Sequence, residues 1–205
     1  MATYGRSSLR DLFDEAPTPH IAHPPHTHHR DFYLATDGSF RDAGGGLGVV
    51  IETRDGRRVA RLSVPDEPPD NNVAEYRALH LGLDVLSDRS PADARVGLLV
   101  DHDQLAANVN ASVLSARDGR PGLHQVSIPH DTGLHWRGIR ARLRGLGAVR
   151  AARIPSGTNP AHPLANTPEE YAHLSEAARR CVRPAPLADG ESVPPPSRAD
   201  RTASD

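Results

Sequence analysis

Three acidic residues stand where the chain changes direction. The apolar run from Phe32 to Thr36 leads into Asp37-Gly38-Ser39, and the run from Arg95 to Val100 leads into Asp101-His102-Asp103. Between them, Glu75 falls in the first turn of an amphipathic segment that begins Asn71-Asn72. Burying a lone carboxylate at the end of an apolar strand costs several kcal/mol, so each needs a cation or a hydrogen-bond network. Taken singly, each acid has an ordinary reading. Asp37-Gly38 fits a hairpin turn, and Glu75 complements the helix macrodipole. Taken together they offer hard oxygen ligands suited to Mg²⁺ or Mn²⁺. Two such ions about 4 Å apart can activate water and stabilise the leaving oxygen of a phosphodiester.

The elements that must position these acids follow from apolar periodicity. Phe32 to Thr36 reads as a buried strand, and Leu47 to Thr53 follows as a second after a glycine-rich turn. Asp55-Gly56 marks a hairpin into a third strand, Arg57 to Val64. Asn71 to Leu86 reads as a helix, with Val73, Tyr76, Leu79, Leu83 and Leu86 on one stripe and Asn71 or Asn72 as its N-cap. Arg95 to Val100 is a strand after a helix, so parallel pairing with the first strand is expected. Gln104 to Ala116 and Leu134 to Leu146 read as helices separated by a Gly/Pro/His-rich loop. Arg137, Arg140 and Arg144 share one face of the second. Val149 to Ile154 is the last strand, and Leu164 to Arg180 is mostly helical, with Thr167-Pro168 as a start signal.

The flanks differ in composition. Residues 1–30 form a Pro-rich extension with a possible short helix capped by Ser7 or Ser8. It carries His20, His23, His26, His28 and His29, which read either as a metal-binding tract or as a polar linker. Beyond residue 183, Pro, Ser, Asp and Arg dominate, and a disordered tail is expected.

The 205 residues carry a net charge of −2, so nothing global draws the chain to nucleic acid and any such footprint must be local. Every basic residue among the 24 is arginine, as suits a GC-rich genome or bidentate phosphate recognition. The single Cys181 excludes an internal disulfide and a cysteine-based zinc site. No signal peptide and no apolar run near 18 residues is visible, so a soluble, cytoplasmic protein without a membrane partner is expected.

The motifs resemble the ribonuclease HI family. The matching pieces are Thr36-Asp37-Gly38-Ser39, Asn71-Asn72-Val73-Ala74-Glu75-Tyr76-Arg77-Ala78-Leu79, Val100-Asp101-His102-Asp103-Gln104-Leu105, and Ile154-Pro155 through Asn159 to Leu164-Ala165-Asn166. The resemblance covers roughly residues 31–175. It implies an α/β RNase H-like domain over residues 31–182, with a five-stranded mixed sheet flanked by helices. It also implies a divalent-metal-dependent endonuclease that cleaves the RNA strand of RNA–DNA hybrids using Mg²⁺ or Mn²⁺, with two ions expected. The alternative is a catalytically weak or inactive nucleic-acid-binding module on the same fold. By the same resemblance, Asp37 and Glu75 are metal ligands. The third ligand is Asp101, although ungapped counting back from Leu105 puts His102 there and Asp103 is adjacent. His162 occupies the position of the family's fourth carboxylate. Asn71 and Asn72, together with the backbones of Gly38 and Ser39, match residues that contact nucleic acid.

Overall fold

A computed structural model describes residues 7–16, 30–42, 44–118 and 125–171. Its centre is a five-stranded mixed sheet. The strands are β1 (Phe32–Ser39), β2 (Gly45–Thr53), β3 (Arg58–Asp66), β4 (Arg95–Val100) and β5 (Ala148–Arg153), in the spatial order β3-β2-β1-β4-β5. β1 pairs antiparallel with β2 and parallel with β4, as expected for a strand that follows a crossover helix. β2 pairs antiparallel with β3, and β4 pairs parallel with β5. This is the five-stranded mixed sheet of the RNase H-like class.

Alternation along β1 divides the core. Leu34 packs into one layer with Val49, Ile51 and Leu62, under α2 (Asn71–Ser87), α3 (Asp103–Asp118) and α4 (Gly133–Leu143). The stripe Val73, Tyr76, Leu79, Leu83 and Leu86 is buried, as the periodicity requires. Tyr33 and Ala35 face the opposite layer with Val50, Leu99, Ile154 and Leu164. That layer is covered by α1 (Leu9–Glu15) and the short α5 (His162–Asn166). Burial on both faces explains why β1 and β2 read as continuous apolar runs rather than alternating ones.

Four expectations shift. β1 runs on through Asp37 to Ser39, because β2 begins early at Gly45 and supplies partners as far as the Ser39–Gly46 pair. Asp37 is therefore a strand residue and not a turn. The cap of α2 is Asp70 rather than Asn71 or Asn72: its Oδ1 accepts the Val73 N–H at 2.8 Å from an extended backbone. The two asparagines are the first two helical residues, and both are exposed. The last helical stretch is broken within the described residues, α5 ending at Asn166 and α6 (Pro168–Tyr171) restarting after Thr167. Proline cannot donate the hydrogen bond that would continue α5.

The fourth shift is at the N-terminus. The short serine-capped helix expected there forms as α1, with a capping box that joins Ser8 and Asp11, but it packs into the core instead of standing off as an extension. Leu9 and Phe13 are buried, the Leu9 N–H donates to Glu52 Oε2 at 2.9 Å, and Phe13 meets Tyr33 edge to face at 5.6 Å. Gly97 makes room for this pair, since a Cβ there would lie 2.9–3.0 Å from both rings. The five histidines between residues 20 and 29, Cys181 and the tail lie outside the described residues.

Phe13→Ala should cost about 3–5 kcal/mol, the usual range for deleting a buried aromatic ring. Urea denaturation of the full chain measures it. A loss under about 1 kcal/mol would show that α1 contributes little to the fold.

Candidate active site

β1 and β4 are adjacent and parallel, so Asp37 in β1 and Asp101, the residue after β4, arrive at the same edge of the sheet. Glu75 reaches that edge from the first turns of α2. The approach is close because Gly38 lies against α2: a Cβ on it would sit 2.2 Å from the Ala74 carbonyl carbon. The Gly38 N–H is directed at the Glu75 carboxyl group. The Asp101 carboxyl group lies near both other acids and disfavours their charged forms.

His162 enters from α5. Its Nδ1 lies 3.3 Å from Asp37 Oδ2, and Asp37, Asp101 and His162 each offer a ligand atom within 4.8 Å of the others. A buried clamp holds this segment in place. Asn159 donates to the Thr36 carbonyl at 2.9 Å and accepts the Ala161 N–H at 3.0 Å. Ser63 Oγ donates to the Leu164 carbonyl at 2.6 Å. Gly48 admits the loop, since a Cβ there would be 2.2 Å from the Ala161 carbonyl oxygen. At the rim, Arg41 donates to Asn166 Oδ1 at 3.0 Å, and the Asn166 amide lies 3.0–3.2 Å from the His162 ring nitrogens. Asn159 and Asn166 were visible in the closing motif, but only the fold shows that one anchors the loop and the other abuts the imidazole.

The acids of this cluster disfavour one another's charge. Asp37 is 2% exposed and Glu75 3% exposed. Burial, then the charge of Asp101, pushes the Asp37 carboxyl up to about 8. Burial, then Asp101 and Asp37, drives Glu75 well above the usual carboxylate range against the opposing Gly38 N–H. Among the described residues, Glu75 Oε2 and Asp101 Oδ1 are buried with no hydrogen-bond partner. Acceptor atoms are seldom left so in a folded protein unless a ligand or ion completes them. The converging ligand atoms are the two carboxylates of Asp37 and Asp101 and the His162 imidazole, a donor set that suits Mg²⁺ or, better, Mn²⁺; Glu75 is not part of that group.

The three candidates for the third ligand position separate in space. Asp101 faces Asp37. Asp103 has an 82% exposed side chain and pairs with Arg153 at 3.2 Å. His102 is turned into the start of α3, where its Nδ1 accepts the Leu105 N–H at 3.1 Å. Asn71 and Asn72 are exposed on the first turn of α2, and Glu75 lies one turn further on, not in the first turn as its spacing suggested. Ser39 is buried: its hydroxyl donates to the Ala165 carbonyl and accepts the Gly46 N–H, so its side chain serves the clamp.

Solved structures with this architecture include ribonuclease H domains. RNase H1 from the halophilic archaeon Halobacterium salinarum NRC-1 superposes with a TM-score of 0.55 at 23% identity, over 68% of this chain and 97% of that one. LC11-RNase H1, solved in complex with an RNA/DNA hybrid, gives 0.51 at 23% identity, over 65% and 93%. The N-terminal RNase H domain of Rv2228c from Mycobacterium tuberculosis gives 0.50 at 23% identity, over 65% and 95%. No protein-family model and no curated protein sequence matches the chain. The fold is RNase H-like. Among the described residues no helix is long and apolar enough to cross a membrane.

The raised carboxyls set a pH dependence. An acid whose folded pKa lies above its unfolded value stabilises the fold below the unfolded pKa, and that contribution is lost as pH rises through the folded one. For Asp37 the window runs from about 4, the unfolded value, to about 8. The melting temperature of metal-free protein should therefore fall across this window. Asp37→Asn should flatten the fall, and Mn²⁺ should raise the wild-type melting temperature more at pH 8 than at pH 5. Scanning fluorimetry in chelator and in Mn²⁺ checks each point. A wild-type profile unchanged by Asn at position 37 would mean that Asp37 ionises freely.

Proposed function

We propose that the protein is a divalent-metal-dependent endonuclease that hydrolyses the RNA strand of RNA–DNA hybrids. The observation that carries this reading is the convergence of Asp37, Asp101 and His162 at one sheet edge, with the buried Glu75 carboxyl group beside Asp101. The likeness to RNase H1 structures, one of them holding an RNA/DNA hybrid, supports the substrate.

Asp37, Glu75 and Asp101 would hold the cations through oxygen and His162 through nitrogen. When bound, the cations would supply a nucleophilic water near neutral pH and offset charge on the phosphoryl oxygens. The protein's own part is positional. The Asn159 clamp and the Gly38 and Gly48 contacts fix where the four side chains converge. Exposed Asn71 and Asn72, one turn from Glu75, face the substrate with groups able to read a shallow minor groove and its 2′-hydroxyls. The net charge of −2 leaves phosphate contacts to local arginines.

The direct test is cleavage of a labelled RNA strand in an RNA–DNA hybrid, in duplex RNA and as single strand, with Mg²⁺ or Mn²⁺. Hybrid-selective cleavage that Asp37→Asn reduces by about 10³-fold or more supports the enzyme, that being the scale of removing a group that stabilises transition-state charge. Hybrid binding without cleavage in either ion would favour the inactive nucleic-acid-binding module.

Imidazole in place of a fourth carboxylate should favour Mn²⁺, which accepts nitrogen more readily than Mg²⁺. His162→Asp should shift initial rates toward Mg²⁺. An active His162→Asp protein with an unchanged metal preference would remove His162 from the site.

A further inference from the structure

His102 resembles a metal ligand in sequence, yet it is engaged elsewhere. Its Nδ1 accepts the Leu105 backbone N–H at 3.1 Å, and its backbone carbonyl accepts the Ala106 N–H at 3.1 Å. It therefore caps α3 with its ring as well as its main chain. The other ring nitrogen, Nε2, lies 2.9 Å from Asn72 Oδ1. Tyr76 packs edge-on against the imidazole with ring centroids 6.4 Å apart, which limits its rotation.

These contacts determine the proton positions. An amide N–H can only donate, so Nδ1 is the bare nitrogen and Nε2 carries the hydrogen. Nε2–H then requires an acceptor, and the Asn72 carbonyl oxygen is the one it meets. A flipped Asn72 would set NH₂ against N–H and lose the bond. The Asn72 amide is thereby held one way round, its oxygen toward His102 and its NH₂ toward solvent.

We propose that His102 is a positioning residue that sets the donor face of Asn72. The outward NH₂ offers two donors and no acceptor. In a minor groove the base edges present chiefly acceptors, and the RNA 2′-oxygen also accepts. A fixed donor at this point suits a sequence-independent reader, whereas a freely flipping amide would present its oxygen to those acceptors part of the time. The inference rests on the hybrid-cleaving reading for its substrate, but the lock itself belongs to the free protein.

The test separates the lock from the helix cap. His102→Asn keeps a side-chain acceptor for the Leu105 N–H, because asparagine is a good N-cap, but it is too short to reach Asn72. Its KM for an RNA–DNA hybrid should rise about fivefold, the effect of losing one oriented hydrogen bond, with kcat changed less than about twofold. The His102→Asn/Asn72→Ala double variant should bind hybrid no worse than Asn72→Ala alone. Additive losses would overturn the proposal, since independent roles add. A fall in kcat with KM unchanged would also overturn it. In the free protein, ¹⁵N spectra should show the His102 ring protonated on Nε2 and bare on Nδ1, and the opposite tautomer would overturn the lock. A wild type that neither binds nor cleaves hybrid would refute the functional reading alone, leaving the ring tautomer to decide the lock.

Discussion

Two carboxyl groups buried within hydrogen-bonding reach of a third are the costliest feature of this molecule. Water is largely excluded from Asp37 and Glu75, and burial together with the nearby Asp101 charge disfavours their ionised forms. A protein shaped only for stability would hold apolar residues here. Instead the acids lie at the junction of the two central parallel strands, the position most firmly placed by the sheet. A strained electrostatic site of this kind persists because the surrounding packing over-determines it. Among the described residues, Glu75 Oε2 and Asp101 Oδ1 have no hydrogen-bond partner.

The rest of the structure keeps that cluster from relaxing. Two glycines let backbone approach backbone where a side chain would intervene, Gly38 against α2 and Gly48 against the loop before α5. Asn159 then ties this loop to β1 itself, so that His162 is carried by the strand that carries Asp37. On the same layer, α1 covers the middle of the sheet with Leu9 and Phe13. One face of β1 thus serves both stability, at Tyr33 and Ala35, and the site, two residues further on.

The departure at His162 bears on chemistry more than on architecture. Imidazole at the rim removes one negative charge that a fourth carboxylate would supply. Were a pair of divalent cations to bind, three carboxylates would neutralise it less fully than four. The second ion should then be held more weakly than the first. The ring is half-exposed, 42% accessible at its side chain.

Much of this arrangement was legible in the chain itself. The apolar run of β1, the stripe of α2 and the strand before Asp101 are local patterns, and local patterns dictate which elements form. The order of those elements, with a helix before β4, led to a parallel β1–β4 pair and hence to Asp37 and Asp101 at one edge. What local pattern cannot carry is the choice among neighbours. Asp101, His102 and Asp103 differ by single steps in sequence, and only the turn out of β4 decides which faces Asp37, which caps α3 and which meets Arg153. Likewise Asp70, Asn71 and Asn72 are all good caps by type; the backbone geometry of one residue selects Asp70 and frees the asparagines. The helix at residues 9–15 had a clear cap, but its place on the sheet depends on Gly97 and Tyr33, far along the chain. Contacts between segments distant in sequence are decided by packing, and packing exists only once the fold is complete.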